Sequence, residues 1–141
     1  FTLPKVDGLN FSFSGLKTSF MRLVENNIKH NKLFILENKQ NLCASIQYTI
    51  IEILMQKLNL AIQEHDVKNI AISGGVAANE EFRKSIKKLE KTHNTKVLIP
   101  KKEYSTDNGA MIAIAGYYKY QVGQFANMSI NVDARSKLEY Y

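Results

Sequence analysis

Two short stretches carry the residues whose types and spacing could do chemistry. In SGGVAAN, residues 73–79, Gly74 and Gly75 lack Cβ atoms, so the backbone can turn sharply and approach a ligand closely. A helix following such a turn offers unpaired N–H groups and the positive end of its dipole to an anion or a ribose-phosphate. Asn79 carries both a donor and an acceptor, enough to read a nucleotide edge or a sugar hydroxyl, and it serves equally as a helix cap. In STDNGAM, residues 105–111, Ser105 or Thr106 can cap a helix, and Asp107 falls in the predicted first turn. There the dipole favours an ionised carboxylate, a hard oxygen ligand for a metal if a cleft adjoins it. Both stretches have plainer readings: a turn that only changes chain direction, and a cap with an acidic first turn.

Companions for Asp107 are missing. His30, His65 and His93 lack the i, i+4 spacing that puts two imidazoles on one helix face, and each reads as a surface histidine. One carboxylate is not a metal site, so the chain alone is expected to bind metal poorly. Basic residues gather at Arg83, Lys84, Lys87, Lys88 and Lys91, then at Lys96, Lys101 and Lys102, with Phe82 and Tyr104 nearby. A solvated helix face is the default reading of such a patch, and a phosphate-backbone track is the alternative.

The elements that must position these residues alternate along the chain. VKNIAIS reads as a strand, AANEEFRKSIKKLEKT as a helix with Phe82, Ile86 and Leu89 inward, and TKVLIP as a second strand. STDNGAMIAIAGYYKYQVG reads as a further helix, in which Gly109, Ala110, Ala113 and Gly116 permit close packing. This order implies a βαβ unit with parallel strands and a right-handed crossover, which binds ligands beyond the carboxyl ends of its strands. Upstream, NFSFS at 10–14 alternates like a strand with one buried face. LKTSFMRLVENNIKH then reads as a helix with Leu16, Phe20, Leu23 or Val24, and Ile28 on one face. After a polar patch at 31–41, NLCASIQYTIIEILMQKLNLAIQEH shows a wide apolar stripe, Leu42, Ile46, Ile50, Ile53, Leu54, Leu58 and Ala61, expected deep in the fold. Cys43 beside that stripe reads as small core filler rather than a reactive thiol. From residue 124 onward no element is predicted.

With 141 residues the chain has the size of one domain, and 45% hydrophobic with 23% charged residues is ordinary for a soluble globular protein. No apolar run approaches the length of a membrane span, and FTLPKVDGLN lacks the layout of a signal peptide. A lone cysteine cannot form an internal disulfide, which fits a reducing, cytoplasmic setting. Nineteen Lys+Arg against 13 Asp+Glu give a net charge of +6, a balance that favours polyanionic partners. Phe1 is not a start methionine, and the chain reads as a fragment of a longer protein.

FSFSGLKTSF at 11–20, SGGVAANEEFR at 73–83 and STDNGAMIAIAGY at 105–117, in this order and at these distances, closely resemble one family. It is the C-terminal part of the universal tRNA threonylcarbamoyladenosine transferases, the TsaD/Gcp family once labelled O-sialoglycoprotein endopeptidases. The resemblance implies an α/β fold of the actin/Hsp70/sugar-kinase (ASKHA) type. Residues 1–141 would form a single C-terminal lobe of a longer two-lobe enzyme, helix-rich with a βαβ unit and an irregular tail at 124–141. It implies transfer of a threonylcarbamoyl group from threonylcarbamoyl-AMP to N6 of the adenosine beside the anticodon of tRNA. It implies that Asn79, with Gly74 and Gly75, meets the nucleotide, ATP or AMP included, and that Asp107 ligates one metal, iron or zinc. An HxxxH pair and much of the cleft belong to the family's N-terminal lobe, so the fragment alone is expected to be inactive. Implied partners are tRNA, a paralogous non-catalytic subunit and a small ATPase, with no membrane. Two other readings are weighed: a nucleotide-binding lobe of a sugar or acetate kinase, against which TDNGAMIA speaks, and a non-enzymatic RNA-binding module. Nothing in the sequence resembles a protease site.

Overall fold

A computed structural model describes residue 1 and residues 5–131 of the chain. Helix α1 runs Ser14–Ile28 and α2 runs Phe34–His65. Strand β1 (Asn69–Ala71) follows, then a 3-10 turn at Gly75–Ala78, helices α3 (Glu80–Lys87) and α4 (Leu89–Thr92), and strand β2 (Lys96–Leu98). A second 3-10 turn at Lys102–Tyr104 leads toward α5, Gly109–Gln121. The chain divides into two compact units, Phe1–Thr106 and Asp107–Tyr141. Among the described residues no helix is long and apolar enough to cross a membrane.

The expected parallel pair is present. β1 and β2 run parallel with Ile70 opposite Val97, and the pairing is extended by Lys96 N–H to Lys68 O at 2.8 Å and Ile72 N–H to Leu98 O at 3.2 Å. The helical segment between the strands buries Phe82, Ile86 and Leu89, as their spacing predicts. They form one cluster with Ile51 and Ile62 of α2 and Ile70 of β1, and Ile86 at its centre is wholly shielded from water. Each such side chain contributes roughly 1.5–3 kcal/mol of burial free energy. This segment is not one continuous helix: residues 75–78 form the 3-10 turn, and Lys88 separates α3 from α4. Ile53 of α2 is also buried, outside that cluster, and α1 packs against α2. In α1, Leu16 is buried and Phe20, Val24 and Ile28 are half-buried, while Leu23 is exposed.

Three expectations for the first half of this unit fail, each for a physical reason. NFSFS is not a strand: a strand needs a partner edge, and the Ser12 hydroxyl instead turns back to meet Ser14 N–H and Ser14 Oγ. Phe11 and Phe13 are both exposed, their rings tilted together 5.5 Å apart. The segment before them is tied to α2 by Lys57, whose ammonium donates to Val6 O and Gly8 O, each at 2.5 Å. The polar patch at 31–41 is mostly helix, because α2 starts at Phe34; Asn31 accepts from Leu33 N–H and donates to Glu37 Oε2 across that start. Its polar side chains are the solvated face of the helix. Cys43 is exposed, not core filler, because the buried part of α2 lies further on, at Thr49, Ile51, Ile53 and Ile62.

In the second unit, α5 has no buried residue, and Ile112, Tyr118 and Tyr120 are among its exposed side chains. Residues 124–131 hold a turn and neither helix nor strand; of the tail expected at 124–141, residues 132–141 lie outside the described residues.

Candidate functional site

The glycine turn begins where β1 ends. Gly74 has φ 79° and ψ 177°, a region that essentially only glycine occupies, so its identity follows from the backbone path. Gly75 has no such constraint, and a Cβ built on either glycine would meet no atom within 4 Å. Ala77 N–H donates to Gly74 O and Asn79 N–H to Val76 O, both at 3.0 Å, which closes the turn. The N–H groups of Gly74, Gly75 and Val76 find no main-chain acceptor among the described residues. The side chains around them are open: Val76 is 57% exposed. Such a row of unpaired donors next to a helix start has the form of an anion cradle.

Asn79 takes the capping role that its position allows. Its Oδ1 accepts from Phe82 N–H at 3.0 Å, so α3 starts at Glu80 rather than at Ala77. Its Nδ2 donates to Gln47 Oε1 of α2 at 3.1 Å. These residues border a hollow of about 200 Å³, with Val76 and Asn79 on one side and Ile46, Gln47 and Ile50 on the other. That is below the ~300 Å³ at which small-molecule pockets usually begin, so the turn supplies one wall of a cleft rather than a whole pocket.

Asp107 opens the second unit and is exposed. It does not lie in the first turn of α5, as the sequence suggests. Asn108 is the cap, in extended backbone, with its side chain accepting from Met111 N–H at 3.0 Å, and the first turn holds no acidic residue. Asparagine directly before Gly109 outcompetes the earlier Ser105 and Thr106, and Asp107 is displaced to the position before the cap. Among the described residues no group of three or more His, Cys, Asp or Glu could hold a metal. Asp107 therefore does not form a metal centre with its described neighbours.

The structure brings Gly74, Gly75 and Asn79 together in one turn and adds residues that sequence reasoning passed over. Arg83 is not part of a solvated face. Its Nε donates to Ala77 O at 2.6 Å, and its Nη2 donates to Pro100 O at 2.5 Å and to Ser105 Oγ at 3.3 Å. Ser105, expected as a cap, is 1% exposed and serves as one of these acceptors. The guanidinium thus joins the glycine turn, the end of β2 and the segment leading to α5. A signal existed: a cation one turn into a helix faces the unfavourable end of the dipole, so it needs another reason to be there. Gln47 gave no such signal, because a polar residue on a long helix is ordinary.

Near the cap, Glu80 and Lys102 form an ion pair. The Lys102 ammonium, hydrogen-bonded to the carboxylate, holds the Glu80 pKa below its ordinary value of 4.5; desolvation opposes it, and Lys84 and Arg83 add weaker lowering.

Residues 1–114 match the family model of tRNA N6-adenosine threonylcarbamoyltransferase, TsaD. A tRNA N6-adenosine threonylcarbamoyltransferase of Christiangramia forsetii is 48% identical over 137 residues, 97% of this chain and 40% of the relative. That of Riemerella anatipestifer is 46% identical over 98% of this chain and 40% of its own length. One of Mesomycoplasma hyopneumoniae is 50% identical over 82% of this chain and 36% of its own. The chain spans about 40% of the length of the first two relatives. A match that runs through both the glycine turn and Asp107 places this chain in the tRNA N6-adenosine threonylcarbamoyltransferase family.

Proposed function

We propose that this chain is the C-terminal lobe of an ASKHA-fold transferase that moves a threonylcarbamoyl group from threonylcarbamoyl-AMP to N6 of the adenosine beside the anticodon of tRNA. The observation that carries the reading is the family match over residues 1–114, which includes SGGVAAN and STDNGAMIA. In the reaction the N6 amine attacks the carbamoyl carbon, AMP leaves from it, and the amine loses its proton. Positioning of the two substrates and stabilisation of the leaving phosphate are the work asked of the protein. Gly74 and Gly75 let the backbone approach the nucleotide, and Asn79 contacts it. Asp107 contributes one ligand to a metal, iron or zinc, whose other ligands come from the part of the enzyme that precedes this chain.

Two features support a lobe whose remainder covers it. An apolar groove of about 890 Å³ lies open between Phe11, Phe13 and Phe20 on one side and Ile46, Ile50 and Ile72 on the other. A parallel sheet of two three-residue strands is also far smaller than those that stand alone, since parallel sheets are normally covered on both faces. The fragment by itself is inactive under this reading. The parent enzyme works in the cytoplasm with a paralogous non-catalytic subunit and a small ATPase.

The test uses the full-length parent, wild type against Asn79→Ala and Asp107→Ala. Asn79→Ala weakens AMP binding by calorimetry, and Asp107→Ala lowers the metal content of the purified enzyme. If neither change has its effect, the site assignment is wrong. Turnover of threonylcarbamoyl-AMP by residues 1–141 alone would overturn the two-lobe reading.

A further inference from the structure

The transferase reading leaves open which surface meets the tRNA. A hollow of about 440 Å³ lies between α3 and the segment after β2, lined by Arg83, Lys84, Lys87, Ile99, Pro100 and Lys101. Four of these six are cations, and no carboxylate lines it. Resting on that reading, we propose that this hollow seats the phosphodiester backbone of the tRNA substrate.

The helix dipole explains part of the charge but not its convergence. Lys84 and Lys87 sit in the last turn of α3, where lysines are favoured in any helix. Lys101 comes from a different element, directly after Pro100, and faces the same hollow. The lysines are available to a new partner. Lys84 meets Glu81 at 3.5 Å and Lys101 meets Glu103 at 3.8 Å, and all four side chains are at least 49% exposed. Exposed pairs of this kind contribute little, so a phosphate can replace the carboxylate at small cost. Among the described residues Lys87 has no ion-pair partner.

Arg83 gives the hollow a fixed wall and a relation to the glycine turn. The guanidinium that lines the hollow is the one that holds Ala77 O in the turn. A polynucleotide whose reacting adenosine is brought to the turn would therefore run its neighbouring phosphates along the lysines. The side chains of Ile99 and Pro100 line the hollow and offer no hydrogen bonds to bases, which suits backbone contact rather than sequence reading.

The experiment measures tRNA binding by the full-length parent over a salt series. The triple variant Lys84→Gln, Lys87→Gln, Lys101→Gln is set against wild type and against a charge-matched control, Lys29→Gln, Lys32→Gln, Lys39→Gln, at exposed positions between the end of α1 and the first turns of α2. The hollow variant should bind tRNA about tenfold more weakly near 100 mM salt, with a log–log salt slope shallower by about two, as expected for lost phosphate contacts. The control should change binding less than threefold, about what general electrostatics removes. The single variant Lys87→Gln, which breaks no ion pair, should lower the slope by about one and keeps the test valid if the triple variant folds poorly. Equal effects from hollow and control variants overturn the proposal while leaving the transferase reading intact. A wild-type parent that does not bind tRNA overturns both.

Discussion

The amide of Asn79 donates to Gln47 Oε1 at 3.1 Å while its carbonyl oxygen accepts from Phe82 N–H at 3.0 Å. A single side chain thus starts α3 and fastens it to α2 across 32 positions of sequence. Asn79→Asp keeps the acceptor and adds a negative charge at a helix start, so stability should stay within about 0.5 kcal/mol of wild type. Asn79→Ala loses cap and tie together and should cost about 1–2 kcal/mol in urea denaturation. An Asn79→Asp variant of the parent that is stable but binds AMP poorly would separate the nucleotide role from the cap.

The two glycines should separate just as cleanly. Gly74→Ala forces a Cβ into φ 79°, ψ 177° and should cost about 1–3 kcal/mol. Gly75→Ala meets open space without backbone strain and should fall within about 0.5 kcal/mol of wild type. Thermal melts of both variants decide the matter, and equal melting temperatures would refute the assigned role of Gly74.

Arg83 is expected to matter for stability more than its surface neighbours. Arg83→Met removes three donated hydrogen bonds and strands a hydroxyl on Ser105, which is 1% exposed. The loss should be about 2–3 kcal/mol by chemical denaturation. Arg83→Lys should recover only part of it, because an ammonium cannot reproduce the fork geometry. Full recovery by lysine would show that charge alone is what counts there.

The Glu80–Lys102 pair sets a pH dependence whose sign is fixed. The folded-state pKa of Glu80 is lowered, so the unfolded chain binds this proton more tightly. The stabilisation is complete above the ordinary carboxylate pKa of 4.5 and is lost as pH falls through the lower folded value. Urea midpoints of wild type and Glu80→Gln should therefore differ most near neutral pH and converge in acid. With side chains 54% and 66% exposed, the difference should also shrink at high salt. A gap that widens on acidification would refute the pairing.

Much of the fold was legible where periodicity and burial agree. Phe82, Ile86 and Leu89 recur at helical spacing and are all buried, and VKNIAIS and TKVLIP contain the two parallel strands. NFSFS has an equally good strand pattern and failed, because alternation states only what a strand would bury, not whether a partner edge is present. The polar start of α2 was unreadable as helix because exposed helical faces and loops share a composition. At the site, the conformation that requires Gly74 could be read from a glycine pair after a strand. The competition among Ser105, Thr106 and Asn108 for one cap could not, since each is a good cap in isolation. Nor could Arg83, whose three acceptors come from positions 6, 17 and 22 residues away.

Those acceptors include two main-chain carbonyls, Ala77 O and Pro100 O. Every residue type offers such a carbonyl, so as far as this contact is concerned the side chains at 77 and 100 are free to drift. What cannot drift is chain length. A residue inserted between Ala77 and Arg83, or between Arg83 and Pro100, would carry one carbonyl out of reach of the guanidinium. The glycine turn and the end of β2 are therefore held in step by a count of residues rather than by their identities.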